Sequence, residues 1–260
     1  MSSLWYPHVK EAPLQGLTGM WGGTGSNLVS GGPADRAPGD GDIVTEGLYL
    51  RWDFAQFNYT AGQATINDTS GNNRHGTINN GGGVAFNYQT NNSGVLNWEN
   101  NGAQNYYINN QQGTPTTPIT LEFWINNESS SETGLFDSAP NQVDTLRNRS
   151  FSGMASGVEW WDESPKIGSG FQAGAWRHHV YVYKHEGSNR SIQTFRNGSS
   201  NGGDSATNST AVVWNNFCVG VYNYGNPWSG ILGVAAVYTQ AFNESKVQTN
   251  WNAIKHRYSL

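Results

Sequence analysis

The sequence predicts an all-β protein: an antiparallel two-sheet β-sandwich of jelly-roll type, with a short C-terminal helix and an extended N-terminal arm. Three observations predict it. The run Trp176-Arg177-His178-His179-Val180-Tyr181-Val182-Tyr183-Lys184 follows a glycine turn signal and is rich in β-branched and aromatic residues, as a pleated, buried strand requires. The 260 residues include 33 glycines and 13% aromatics but only 13% charged side chains, which suits short strands joined by tight turns and is too aromatic for a disordered chain. The hydrophobic period also changes near the C-terminus, from two residues to that of a helix.

In the central run, Trp176, His178, Val180 and Val182 share one face, and Arg177, His179, Tyr181 and Tyr183 share the other. Neither face reads as solvated, so the strand is expected to lie in a sheet covered on both sides.

Taken in order, residues 1–46 stand apart. Leu4, Trp5, Tyr6, Val9, Leu14, Leu17, Met20, Trp21, Leu28 and Val29 are scattered among Gly and Pro with no sustained period, so the segment makes no core of its own. Its apolar content is that of an arm lying in a groove, and the expected holder is another protein of an assembly, gripped by Leu4, Trp5, Tyr6, Leu14, Leu17, Met20 and Trp21. Residues 47–260 are expected to form the sandwich. Leu48-Tyr49-Leu50-Arg51-Trp52-Asp53-Phe54 opens it, and the Asn/Ser/Gly cluster at 67–73 is a turn. Strand signals follow at 84–88, 95–98, 106–109, 119–125, 134–137, 150–154, 157–161, 191–196, 212–221 and 231–238. In the best of them Ile119, Leu121, Phe123 and Ile125 alternate with Thr120, Glu122 and Trp124. After Asn243, an N-cap residue, Val247, Trp251, Ile254 and Tyr258 recur at helical spacing and predict a helix over 244–257.

Charge and cysteine content exclude several classes. With a net charge of -5 and 14 Lys and Arg in no run, the chain offers no footprint for nucleic acid. Cys218 is the single cysteine, so no internal disulfide forms, and its place in Phe217-Cys218-Val219 reads as a small buried apolar group. No apolar run of signal-peptide or membrane-spanning length occurs, so the expectation is synthesis in a cytoplasm without a leader and no membrane insertion. Nine Asn-x-Ser/Thr triplets, at Asn58, Asn67, Asn91, Asn127, Asn148, Asn189, Asn197, Asn208 and Asn243, read as turn chemistry.

Several stretches together resemble the concanavalin A-like lectin/glucanase family, laminin G-like type, over residues 47–260. They are Thr120-Leu121-Glu122-Phe123-Trp124-Ile125, the central Trp176–Tyr183 run, the hairpin signal Thr194-Phe195-Arg196-Asn197-Gly198, and Trp228-Ser229-Gly230-Ile231-Leu232-Gly233-Val234-Ala235-Ala236-Val237-Tyr238 with its closing helix. Asp68-Thr69-Ser70-Gly71-Asn72-Asn73 is similar to an early turn of such domains. The Asn- and Gly-rich loops, the apolar arm and the lack of a leader are further similar to structural proteins of tailed bacteriophages. The resemblance implies a virion structural protein, a capsid decoration or a tail or fibre component. It would be anchored to other virion proteins through residues 1–46, sit at the virion surface in a homo-oligomeric or symmetric assembly, and have host-surface polysaccharide as a candidate ligand. The alternative is a non-viral lectin or glycoside hydrolase of the same fold.

Glucanases of this family set carboxylates at alternate positions of one strand. Glu159-Trp160-Trp161-Asp162-Glu163 comes nearest, but on one strand Asp162 would face away from Glu159 and Glu163, so no catalytic residue is expected and the chain is read as a non-enzyme. Cys218 and the serines show no nucleophile motif. His178 and His179 face opposite ways on a strand and do not share a metal. Asp68, Asn72 and Asn73 are candidate calcium ligands at a loop edge, and no other cofactor is implied. Glycan binding needs exposed rings beside amides, which makes Tyr222, Asn223, Tyr224, Asn226 and Trp228, together with Trp160, the candidate contacts.

Overall fold

The structure is a computed structural model that describes residues 41–56, 64–80, 87–89, 94–98, 106–111, 113, 115–127, 134–139, 146–151, 154–160, 163–168, 174–222 and 226–260. All of them belong to one compact unit, Ala37–Leu260. The strands are β1 (Leu48–Asp53), β2 (Thr65–Ile66), β3 (Gly76–Asn80), β4 (Asn87–Gln89), β5 (Val95–Trp98), β6 (Tyr106–Asn110), β7 (Ile119–Asn127), β8 (Phe136–Asp137) and β9 (Leu146–Phe151). They continue with β10 (Met154–Trp160), β11 (Glu163–Gly168), β12 (Trp176–Glu186), β13 (Asn189–Arg196), β14 (Ser199–Thr207), β15 (Phe217–Val219), β16 (Val221–Tyr222), β17 (Asn226–Pro227) and β18 (Gly230–Tyr238). Helix α1 (Glu244–Ile254) and a 3-10 turn, Lys255–Tyr258, close the chain.

Sixteen of the strands pair antiparallel into two eight-stranded sheets, and β16 and β17 pair with each other. The first runs β14-β13-β12-β7-β18-β5-β4 with β1 also on β18; the second runs β11-β10-β9-β8-β15-β6-β3-β2. The period-two pattern places each side chain. Ile119, Leu121, Phe123 and Ile125 of β7 and Tyr181 and Tyr183 of β12 enter the core between the sheets, where they meet Ile66, Ile108, Phe136, Phe217 and Val219 of the second sheet. The Phe123 and Phe136 rings stack across the two layers at 5.2 Å between centroids. Burying one such side chain stabilises the fold by about 1.5–3 kcal/mol. On the outer face of the first sheet, Val180, Val182, Phe195, Ala236 and Tyr238 pack with Phe242 and Val247. Both faces of β12 are therefore covered, as its sequence requires.

The helix begins where expected: the Asn243 side chain accepts from the Lys246 backbone N–H at 3.0 Å. Its apolar stripe, with Ala253, Ile254 and Tyr258, packs on Val95, Trp124 and Val234. The last six residues of the predicted arm differ from expectation, because residues 41–46 lie on this helix. The Gly41 N–H donates to Ala253 O at 2.9 Å, the Val44 N–H to Asn250 Oδ1 at 2.7 Å, and Lys246 Nζ pairs with Glu46 at 2.8 Å. Leu4, Trp5, Tyr6, Leu14, Leu17, Met20 and Trp21 lie outside the described residues.

Three strand expectations are corrected. Residues 150–154 do not form one strand; they span the end of β9 and the start of β10. Within 212–221 only Phe217–Val219 and Val221–Tyr222 are strand, and Val212 and Trp214 pack into the core from outside any ladder. Strands β2, β3, β11 and β14 carried no signal. β14 reads SSNGGDSAT, and its pairing comes from the preceding turn, where Asn197 and Gly198 both take positive φ, 50° and 84°, as a tight hairpin demands.

Gly233 of β18 sits where the closing turn meets the sheet. A Cβ there would run into Tyr258 Oη and lie 2.7–2.8 Å from its ring. Gly233→Ala is expected to destabilise the fold by about 1–3 kcal/mol through overpacking, read as a lower midpoint in denaturant unfolding, and Tyr258→Phe in the same background is expected to recover part of the loss.

Candidate carbohydrate-binding surfaces

Beneath helix α1 lies a buried polar cluster. Glu122 projects from β7 to the outer face with no solvent exposure. Its Oε1 lies 3.0 Å from His178 Nε2 and accepts from Trp124 Nε1 at 3.1 Å. Its Oε2 accepts from Tyr238 Oη at 3.0 Å and from Asn250 Nδ2 at 2.7 Å. Burial works against the charge, but the hydrogen bond and electrostatic pull of His178, with help from Arg51 and Trp124, outweigh it and bring the carboxyl down to about 2. A second buried acid, Asp53, bridges Arg51 Nη2 at 2.9 Å and Arg257 Nη1 at 2.8 Å. Both carboxylates are enclosed and occupied by protein donors: Glu122 is tied to α1 through Asn250, and Asp53 to the closing turn through Arg257.

The two histidines do face opposite ways. His178 stacks on Trp124 at 4.3 Å beneath the helix, while His179 is buried on the other side of β12, where loss of solvent, and then the fields of His178, Arg196 and Arg177, lower its pKa to about 3. Glu122 was not singled out from sequence, and of its partners only His178 was considered, as a metal ligand. The available signal was an acidic residue centred in an otherwise apolar strand with both faces covered.

The Asp68 turn is closed by its own chain. Asp68 Oδ1 accepts the N–H groups of Arg51 and Ser70, each at 2.9 Å, and Oδ2 accepts from Ser70 Oγ at 2.7 Å and the Arg74 N–H at 2.8 Å. Asn72 Nδ2 turns inward to Leu48 O at 2.8 Å, and Asn73 takes a positive φ of 57° that helps turn the chain. These contacts explain Asp68, Asn72 and Asn73 as an Asx-type turn stapled to β1, and among the described residues no group of three or more His, Cys, Asp or Glu gathers to hold a metal ion.

The aromatic candidates separate. Trp228 is wholly buried and belongs to the inter-sheet core, which corrects its reading as a glycan contact: the β17–β18 junction carries it inward. Tyr222 and Asn226 pair in the β16–β17 hairpin, which leaves the second sheet at Gly220, whose N–H donates to Leu135 O at 2.7 Å. Asn223 and Tyr224 lie outside the described residues. Trp160 ends β10 opposite Leu146. Asp137 pairs with Arg147, so Trp160 belongs to the end of the strip beyond Asp137, whereas the hairpin leaves beyond Leu135; the two candidates stand on different strands and toward opposite ends of the sheet. The acidic run is split as well. Trp160 pairs with Glu163 across a turn, so Glu159 and Glu163 sit on different strands; Trp161 and Asp162 lie outside the described residues.

The sequence profile of the concanavalin A-like lectin/glucanases superfamily, in its laminin G form, matches residues 100–248, and the chain belongs to that superfamily. No curated protein matches it. Among solved structures it is similar to domain 4 of an extracellular arabinanase from Geobacillus stearothermophilus, in complex with arabinotriose, at 18% identity and a TM-score of 0.59, over 80% of this chain and 100% of that one. It is also similar to the sialidase of Trypanosoma rangeli in complex with sialic acid, at 11% identity and a TM-score of 0.58, over 97% of this chain and 40% of that one. A third is the ligand binding domain of botulinum neurotoxin serotype D in complex with N-acetylneuraminic acid, at 12% identity and 0.53, over 80% and 51%. The chain therefore spans all of the arabinanase domain but only about half or less of the other two chains. These likenesses define the fold; function rests on the sites themselves.

Two measurements test this account. Because Asp68 is satisfied by the chain, a chelator such as EDTA is expected to leave Tm unchanged, while Asp68→Ala lowers stability by about 1–3 kcal/mol through the orphaned donors. Acid sensitivity has two windows. His179 is held neutral down to about 3 against an ordinary 6.5, so the unfolded chain takes the proton first and stability falls as pH drops from 6.5 towards 3, by at most about 1.4 kcal/mol per pH unit. Glu122, at about 2 against 4.5, contributes fully above 4.5 and is lost as pH falls through 2. Denaturant midpoints measured from pH 7 to pH 2 are expected to show both, with the upper window missing in His179→Gln.

Proposed function

We propose that this protein is a non-catalytic carbohydrate-binding module, carried on a larger assembly by the segment ahead of its sandwich. The observation that carries the reading is the state of its acids. In a superfamily that contains both lectins and glucanases, the two acids enclosed in the first sheet, Glu122 and Asp53, are engaged by protein donors, and the acidic run at 159–163 is divided between two strands. A hydrolase needs a pair of carboxyls facing one cleft. Sugar contact is assigned to the β16–β17 hairpin, with Tyr222, Asn223, Tyr224 and Asn226, and, as a separate place at the other end of the sheet, to Trp160. Complexes with arabinotriose and sialic acid among the structural neighbours support a saccharide ligand.

The assembly in this reading is a phage particle, as a capsid decoration or a tail or fibre component, and the ligand is host-surface polysaccharide. The support is in the sequence: the apolar arm with Leu4, Trp5, Tyr6, Leu14, Leu17, Met20 and Trp21 needs a partner surface. With residues 41–46 docked on their own helix, anchoring falls to residues 1–40. A second reading, an accessory module of a cellular carbohydrate-active protein, is favoured by the likeness to the arabinanase domain.

A glycan array probed with the full chain is expected to retain saccharides without releasing reducing ends, and Tyr224→Ala is expected to lose most of that retention. Removing residues 1–40 is expected to leave Tm and array binding intact while abolishing incorporation into particles. Saccharide cleavage by the purified chain would overturn the non-catalytic reading, and a truncated chain that still incorporates would overturn the anchor.

A further inference from the structure

Ile78 and Ile108 turn one face of the β3–β6 ladder into the core. The register pairs Thr77 with Asn109 and Asn79 with Tyr107, and sets these four side chains together on the opposite face. Thr65 of β2, opposite Thr77, extends the row. Thr65, Thr77 and Asn79 are exposed, and Tyr107 and Asn109 are half-buried. Asn79 Nδ2 donates to Tyr107 Oη at 2.6 Å, which holds the phenol in place beside an exposed amide. Toward the middle of the sheet the row continues through Cys218 and Asp137, both wholly buried, so the open patch ends at β6. Strands about 4.8 Å apart, with alternate residues about 6.7 Å apart along each, give a patch that matches one or two sugar rings.

We propose that this patch is a second saccharide contact, a subsite for uncharged, hydroxyl-rich glycans. Tyr107 offers its ring to the C–H face of a sugar, and the amides of Asn79 and Asn109 with the hydroxyls of Thr65 and Thr77 meet the sugar hydroxyls. None of the five side chains carries a charge, so none of them supplies the cation that a sialic or uronic acid would require. Partial burial and the neighbouring Cys218 push the Tyr107 phenol further up, and it stays neutral at physiological pH. The inference rests on the carbohydrate-binding reading above and adds a place and a ligand class that the sequence did not single out: β3 carries one apolar residue among polar ones, too weak an alternation to mark a strand or its outward face.

The test is calorimetric titration of the full chain with arabinotriose, cellotetraose, mannotetraose and sialyllactose, followed by variants against the tightest binder. Uncharged oligosaccharides are expected to bind more tightly than sialyllactose. Tyr107→Ala is expected to weaken binding by about tenfold, while Tyr107→Phe, which keeps the ring, retains most of the affinity. Asn79→Ala changes an exposed side chain, and is expected to weaken binding with an unchanged Tm, which keeps the test decisive if Tyr107→Ala fails to fold. Wild-type affinity in Tyr107→Ala and Asn79→Ala, with binding still lost in Tyr224→Ala, would overturn this subsite and leave the carbohydrate-binding reading standing. A preference for sialyllactose would overturn the ligand class, and a chain that binds none of the four would overturn both.

Discussion

A single buried carboxylate sets terms for much of this molecule. Glu122 lies in the middle of an eight-stranded sheet with a helix over it, where an unpaired charge would cost several kcal/mol. It is tolerated because its donors converge from four places: Trp124 on its own strand, His178 on β12, Tyr238 on β18 and Asn250 on α1. Sliding β7 by one residue against its neighbours would turn the carboxylate into the apolar core and its donors away from it. The cluster therefore contributes registration more than net stability, which comes from the aromatic and aliphatic layers on either side. Asp53 repeats the device nearer the chain end, clamping β1 to Arg257.

This arrangement decides which surfaces of the sandwich remain open. The outer face of the first sheet is occupied along β7, β12 and β18 by α1, whose Trp251 stacks on Trp124, by the closing turn, whose Tyr258 also stacks on Trp124, and by residues 41–46. Among the described residues no helix packs on the second sheet, and its outer face at β2, β3 and β6 presents hydroxyls, amides and a tyrosine. Polar loops and hairpins on a rigid sandwich are where binding residues are free to vary without cost to the core.

Strong alternation made the central strands legible. β7, β12 and β18 have a covered face on each side, and their runs of Val, Ile, Tyr and Trp state as much; Val95–Trp98 and the Asn243 cap were equally plain. The Asn197-Gly198 turn announced the β13–β14 hairpin, yet β14 itself, Ser-, Gly- and Asn-rich at the sheet edge, has almost no apolar side chain to bury and so leaves no period to read. The short β2 and β3 were hidden for the same reason. Trp228 was misassigned because an aromatic between Gly, Asn and Pro looks the same whether its ring faces solvent or core; only the turn of the chain before β18 distinguishes them.

By itself the sequence determined a β-sandwich with a helical end, because period and turn chemistry are local properties carried by neighbouring residues. The tertiary structure alone decided that Glu122 meets His178, Tyr238 and Asn250, that Asp53 meets Arg257, and that Asn79 stands beside Tyr107. These partners are separated by 28 to 204 residues, and no pattern along the chain encodes such a distance. What brings them together is the pairing order of the strands and the docking of the helix, which follow from burying the whole apolar surface at once.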